Sequence, residues 1–306
     1  MSIPIRTSHS LLLATGEPPA TVRVQNIQST IQGPSDAWGR QNRPQPISVS
    51  VAVGMAQSFG PTSTSDALAS DTVHYGLLSK AVLATLARLS GAQGTSSGRQ
   101  LTLPAILDTI WTDLTGVDTS GQQPASPASP AQAPPFLKLA SVKSLQVGLR
   151  LPKATLQGAG VCLTATAAFA RGTMTLRGIK LALCDLRIPI LIGVNANERR
   201  AKQGVVANVE VDRFDEARDC YCALEDVIAK AMTDSSFETI EALLADMAVR
   251  ITTHLVRNHT PPPDGEGWQL GIAVEKPIAV VFADAPCVEL RINTNDVVPE
   301  EDVVPR

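Results

Sequence analysis

The sequence predicts an α+β protein made of two copies of one unit, each an antiparallel sheet carrying two helices on one face. Three observations point there. Segments of alternating apolar residues fall in pairs, a pair of amphipathic helices separates one strand pair from the next, and the order strand, strand, helix, helix, strand, strand occurs twice.

The first unit opens with TVRVQNI (21–27) and ISVSVAV (47–53), which alternate as half-buried strands do and are joined by the turn-rich stretch GPSDAWGRQNRPQP. In YGLLSKAVLATLARL the residues Leu78, Val82, Leu86 and Leu89 share one helical face, and a second helix is predicted over 103–114. The tract SGQQPASPASPAQAPP cannot bury apolar surface and is expected to be a flexible Pro/Ala/Ser loop inside this unit, spanning 117–135. Strand character returns in KSLQVGLRLPKA and GVCLTATAAF.

The second unit repeats the order with strands IKLALCDLRI (179–188) and GVVANVEVD (204–212), then a helix in CALEDVIAKAM. A longer helix follows in SSFETIEALLADMAVRITTHLV, where Phe237, Ile240, Leu244, Met247, Ile251 and Leu255 form a stripe and Ser235 or Ser236 offers an N-cap. WQLGIAVEKP and CVELRIN close it as strands. The units are therefore expected at 21–171 and 178–295, with a disordered leader (1–20) and a flexible tail (296–306).

Composition narrows the function classes. A chain of 306 residues, 44% hydrophobic and 18% charged, suits two units with sizeable cores. A net charge of -3 without any Lys/Arg run leaves no electrostatic footprint for nucleic acid or anionic lipid. Apolar runs such as LLLA at 11–14 fall well short of the roughly 20 residues a membrane span needs. The N-terminus is too weak for a secretory signal and only faintly like a presequence, so the cytoplasm is the expected compartment, with organelle import left open. Five scattered cysteines without C-x-x-C spacing read as reduced thiols, and neither a metal nor a cofactor is expected. Open antiparallel sheets keep exposed edges, so a homo-oligomer that pairs them into a closed barrel is expected.

The motifs DTVHYG (71–76), DAWGRQNRPQPISVSV, IGVNANERRAKQGVVANVEV, SSFETIEALLADMA and VEKPIAVVFADAPCVEL together resemble the dihydroneopterin aldolase family, most closely the tandem aldolase region of fungal multifunctional folate-synthesis proteins. The resemblance covers most of 21–293. It implies a tandem T-fold, ββααββ twice, assembled into a barrel-like ring of at least two chains with active sites at junctions between units. The implied reaction is retro-aldol cleavage of a pterin, 7,8-dihydroneopterin, to 6-hydroxymethyl-7,8-dihydropterin and glycolaldehyde in folate biosynthesis, without metal or Schiff base.

Carried onto this sequence, the family's pterin anchor is Glu241 with Ile240 beside it, a carboxylate at a helix start that accepts two parallel hydrogen bonds from the ring. Lys276 of VEKP stands at the proton-transfer position, relaying the substrate hydroxyl proton through water, and Glu198 of NANERR orients the diol or its water. Val73, His74 and Tyr75 belong to the segment that reaches into a neighbour's pocket, with Tyr75 as proton donor to the carbanion left by cleavage. By residue type alone these would be a first-turn carboxylate, a solvated lysine, a member of a mixed-charge loop and surface residues.

Each half is defective in a different way. The first has Gly39 after Trp38 where a Glu is expected, no anchor Glu in LTLPAILDTIW, and Leu151 where the Lys should stand, Lys153 coming two residues late. The second keeps Tyr221 in ARDCYCA but has Asp-Cys in place of Val-His. The defects are complementary, which predicts a composite site: Glu198, Ile240, Glu241 and Lys276 from one second unit, with Val73, His74 and Tyr75 from a first unit across an interface. One working site per chain is expected, the opposite junction being dead.

The alternative is a non-catalytic T-fold protein, a pterin binder or scaffold. A urate oxidase-like enzyme is also a tandem of this size but does not suit VEKP and ERRAKQ, and a GTP cyclohydrolase-like role needs a zinc ligand set. No G-x-x-x-x-G-K loop occurs, so nucleotide-dependent steps are not expected of this chain.

Overall fold

A computed structural model describes residues 3–92, 100–123 and 134–300. Within them, eight strands form one antiparallel sheet in chain order. The first half contributes β1 (Ala20–Ile31), β2 (Gln45–Met55), β3 (Val142–Leu151) and β4 (Val161–Ala170). The second contributes β5 (Thr173–Ile190), β6 (Gln203–Asp212), β7 (Gln269–Glu275) and β8 (Cys287–Asn293). Helices α3 (Tyr75–Ala92) and α4 (Leu103–Thr115) stand between β2 and β3 in sequence, and α5 (Tyr221–Thr233) and α6 (Ile240–Asn258) between β6 and β7. Two shorter helices, α1 (Ser8–Thr15) and α2 (Gly60–Ser65), lie in the leader and after β2. The strand and helix order is thus the same in both halves, and none of the described helices is long and apolar enough to cross a membrane.

One face of the sheet is apolar because alternation in the strands puts every second residue there. Ile47, Val49, Val51 and Val53 of β2 are at most 1% exposed under the helices, while Ser48, Ser50 and Ala52 between them point the other way. Each such aliphatic burial contributes about 1.5–3 kcal/mol, which fixes the register of pairing, since a one-residue slip would turn the whole set outward. The core runs without a break from one half to the other, because β4 and β5 pair from Val161↔Leu183 to Ala170↔Thr173, with one register shift between Ala168 and Phe169.

Several local expectations need correction. The cap of α6 is Thr239, whose side chain accepts from Ala242 N at 3.3 Å, and not Ser235 or Ser236. Ser235 is instead used to close α5, its hydroxyl donating to Met232 O at 2.7 Å. Phe237 therefore lies ahead of the helix, half-buried against the core, and the stripe begins at Ile240.

The leader is not disordered over its described residues. Thr7 caps α1, Arg6 N donates to Arg177 O at 2.7 Å, and Ser8 N donates to Asp212 Oδ2 at 2.7 Å. Ile5 and Leu11 are buried, and α1 packs across β4 and β5 where the halves meet. The segment lies on the face of the sheet turned away from α3–α6: Asp212 pairs with Lys180 on that face, and Leu11 packs over Gly178 there, so an apolar side chain is buried where no long helix covers the strands. The start of the expected tail is likewise attached: Val297 is buried, and Glu300 N donates to Thr253 Oγ1 at 2.9 Å. The proline tract lies mostly outside the described residues, at 124–133, as does 301–306. Residues 117–123 are held, with Asp118 accepting from the backbone of Ser120 and Gln122.

Leu11→Ala is expected to lower the free energy of unfolding by about 2–4 kcal/mol, the range for removing a buried leucine side chain. Urea denaturation monitored by circular dichroism measures it, and an unchanged midpoint would show that packing of the leader on the sheet does not contribute to stability.

Candidate active site

The end of β5, the start of β6 and the end of β7 come together at one end of the second half, since Val206 pairs with Glu275 and Ile190 with Gln203. Two of the sequence-predicted residues meet there. Lys276, the first residue after β7, is only 5% exposed, and its ammonium forms an ion pair with Glu198 Oε1. It also donates to Ile192 O at 3.4 Å.

Glu198 is held by the loop that carries it. Its Oε2 accepts from Asn195 N at 3.0 Å and Asn195 Nδ2 at 2.9 Å, while Gln203 Nε2 donates to Glu198 O at 2.8 Å and to Ile192 O at 2.9 Å. The hydrogen bond from Lys276, followed by that from the Asn195 backbone, holds the Glu198 carboxyl down to about 2. Gly193 passes so close beneath this side chain that a Cβ there would stand 2.5 Å from Glu198 Cβ, and its φ of +139° is one that L side chains rarely adopt. Asn195, Gln203 and Gly193 were not singled out from the sequence. The signal available was an Asn three residues before a Glu, the spacing of a local side-chain turn.

Arg199 ties this loop to the approach of α6, donating to Ser236 O at 2.9 Å and Phe237 O at 3.2 Å. The helix start so positioned carries Ile240, half-buried, and Glu241, exposed in the first turn, where the helix dipole favours its charge. Glu198, Lys276, Ile240 and Glu241 thus occupy adjoining loops at one end of the second half. Among the described residues, no group of three or more His, Cys, Asp or Glu side chains is arranged to hold a metal.

Val73, His74 and Tyr75 are placed elsewhere, at the start of α3 in the first half, and no hydrogen bond or ion pair among the described residues joins them to Lys276. His74 caps α3: its Nδ1 accepts from Gly76 N at 3.1 Å and Leu77 N at 3.3 Å. Tyr75 is 68% exposed, and Val73 is half-buried against the core.

The matching segment of the second half shows what such a segment does at a junction within the chain. Tyr221, like Tyr75 the first residue of its helix, is 2% exposed, and its hydroxyl donates to Ser35 O of the β1–β2 loop at 2.6 Å. Burial pushes its ionisation far above the ordinary phenol range. Asp219 accepts from Ser35 N and from Leu103 N at the start of α4, both at 2.8 Å. Glu225 accepts from Leu156 N at 3.0 Å and Gln157 N at 2.8 Å in the β3–β4 connection. One segment of the second half therefore touches the three loops of the first half that correspond to those bearing Glu198, Glu241 and Lys276 in the second, and it closes them.

Residues 181–292, within the second half, match the family model of dihydroneopterin aldolase. The folic acid synthesis protein fol1 of Schizosaccharomyces pombe is 26% identical over 275 residues, 88% of this chain, and the chain spans 30% of that relative's length. A highly active mutant of Bacillus sp. TB-90 urate oxidase shares the fold along nearly the whole chain, with a TM-score of 0.55 at 11% identity, covering 90% of this chain and 99% of the other. Dihydroneopterin aldolase from E. coli, solved in complex with neopterin, covers 37% of this chain and 98% of its own, at a TM-score of 0.31 and 20% identity.

The lowered Glu198 carboxyl sets a pH signature. Its folded value lies below the roughly 4.3 of an unfolded glutamate, so its stabilising contribution is complete above that value and lost as pH falls toward about 2. The stability difference between wild type and Glu198→Gln is expected to be constant from neutral pH down to about 5 and to shrink below about 4. Denaturant midpoints across pH measure it; a difference already gone near pH 6 would refute the ion pair.

Proposed function

We propose that this chain is a dihydroneopterin aldolase of folate synthesis, a carbon-carbon lyase built as a tandem T-fold whose working site is completed by a second copy. The observation that carries the reading is the ion pair of buried Lys276 with half-buried Glu198, set beside the α6 start that bears Glu241, inside the segment that matches the aldolase family model. A lysine buried against one carboxylate, with a second carboxylate free at the adjacent helix start, supplies a proton relay and a pterin anchor in neighbouring loops.

The in-chain junction supports the composite arrangement. If a partner's 71–79 segment meets the second half as 217–225 meets the first, Val73 takes the place of Asp219 at the start of α6 and Tyr75 that of Tyr221 beside the Glu198 loop. Val73 lacks the carboxylate with which Asp219 occupies the helix N-terminus, so this junction stays open for a ligand. The surfaces to be joined are apolar: Ile278 and Phe282 beside Lys276 are 70% and 100% exposed, and Leu77 follows Tyr75 at 49%. Strands β1 and β8, at the two ends of the sheet, supply edges for the same association.

In this site Glu241 and the partner's backbone around Val73 hold the pterin ring, with Ile240 against its face. Glu198 positions the side-chain diol, and Lys276 relays the hydroxyl proton as the carbon-carbon bond breaks and glycolaldehyde leaves. The electron pair passes into the dihydropterin ring, and Tyr75 returns a proton to the carbon.

Purified protein incubated with 7,8-dihydroneopterin is expected to release glycolaldehyde, and Lys276→Ala to lower the rate by about 10²–10⁴-fold, the usual yield of a positioned proton-transfer group. Absence of turnover by wild type with retained pterin binding would favour a non-catalytic pterin binder. Lys276→Ala and Tyr75→Phe, each inactive alone, are expected to regain about a quarter of wild-type activity when mixed with subunit exchange, since half of randomly formed pairs carry one intact site of two. No regain would place Tyr75 and Lys276 in the same protomer's site.

A further inference from the structure

The face of the sheet turned away from the helices is not uniform. In the first half it holds a groove of about 460 Å³ whose floor includes Gly148. In the strand register Gly148 lies between Ser50 of β2 and Thr164 of β4, and lacking a side chain it leaves a dip between their hydroxyls. On one side β1 breaks register between Val24 and Ile27, and Asn26 turns so that its N–H donates to Ser50 Oγ at 3.0 Å.

Two arginines border this dip. Arg150 Nη2 donates to Ala159 O at 3.0 Å, which fixes the guanidinium, while its Nε is buried without an acceptor. Arg23 is exposed on β1 and takes part in no ion pair among the described residues. The groove lining contains no carboxylate, although the chain as a whole has 29 acidic against 26 basic residues. The same face of the second half differs: there Lys180 is paired with Glu210 at 2.9 Å, and Glu289 lies with Arg291 in the lining of a smaller cavity. Charge on that side is answered within the chain, and in the first half it is not.

We infer that the Gly148 groove is a binding site for a small polyanion, a molecule carrying two or more phosphate or carboxylate groups. Arg23 pairs with Ala52, and Arg150 with Ser48, so along β2 the two arginines are four residues or about 13 Å apart. That spacing suits a ligand with separated anionic groups better than a single oxyanion. The guanidinium groups supply charge-assisted hydrogen-bond donors. Ser50 and Thr164 add hydroxyl donors between them. This site does not depend on the aldolase reading, since none of its residues belongs to the Lys276 cluster.

Isothermal titration of the full chain with pyrophosphate and with citrate, at matched ionic strength, tests it. Binding of at least one probe is expected, weakened tenfold or more in Arg150→Gln and in Arg23→Gln and unchanged in Arg291→Gln on the second half. Preference for pyrophosphate assigns a phosphate-bearing ligand, and preference for citrate a polycarboxylate. Failure of both probes to bind at millimolar concentration, affinity unaffected by the two groove variants, or an equal loss in Arg291→Gln would overturn the proposal.

Discussion

The antiparallel pairing of β4 with β5 is the constraint on which the rest of the molecule depends. It makes one sheet of two units, so the helices of both halves must cover the same face and the loops bearing the Lys276 cluster emerge from the same end of the sheet as their first-half counterparts. It also brings the 215–225 segment within reach of the first half's loops, and that proximity turns a pair of similar units into one body. Stability and placement of the Lys276 loops therefore share a cause, the pairing of β4 with β5 where the two halves meet.

The two halves share an element order but differ in what stands at corresponding positions. In the first half, the start of α4 has Thr102 and Leu103 where the second has Thr239 and Ile240, and no carboxylate follows in its first turn. Asp219 supplies a negative charge there from outside, satisfying Ser35 N and Leu103 N together. A carboxylate arriving from a neighbouring segment does for the helix N-terminus what a bound anion would do, and it ties the two halves together at this junction. The burial that raises the ionisation of both Asp219 and Tyr221 marks how completely water has been removed from it.

Much of this was legible in the sequence. Alternation at 47–53 and the stripes of α3 and α6 identified strands and helices because burial of one face imposes a period the chain cannot hide. Lys276 and Glu198 could be named because the motif resemblance singled them out, while their mutual contact could not be read, being 78 residues apart in sequence. Three features escaped. The cap of α6 was misplaced because three hydroxyl residues precede that helix and nothing local tells which is already engaged. Gly193 and Asn195 escaped because their roles exist only relative to the folded Glu198 loop. The leader was misread because its composition is unremarkable, and only the folded sheet, on the face turned away from α3–α6, gives Leu11 something to cover.

That leader also fixes the path of residues 3–16. Ile5 bridges to Arg177 and α1 lies over β4 and β5, so the N-terminal segment emerges at the middle of the sheet, three strands from either edge. A reporter or affinity handle fused upstream would stand over the seam and leave the margins of β1 and β8 clear for another molecule. A handle joined by too short a linker would instead pull at Arg6 and Ser8, loosening a fastening that spans both halves.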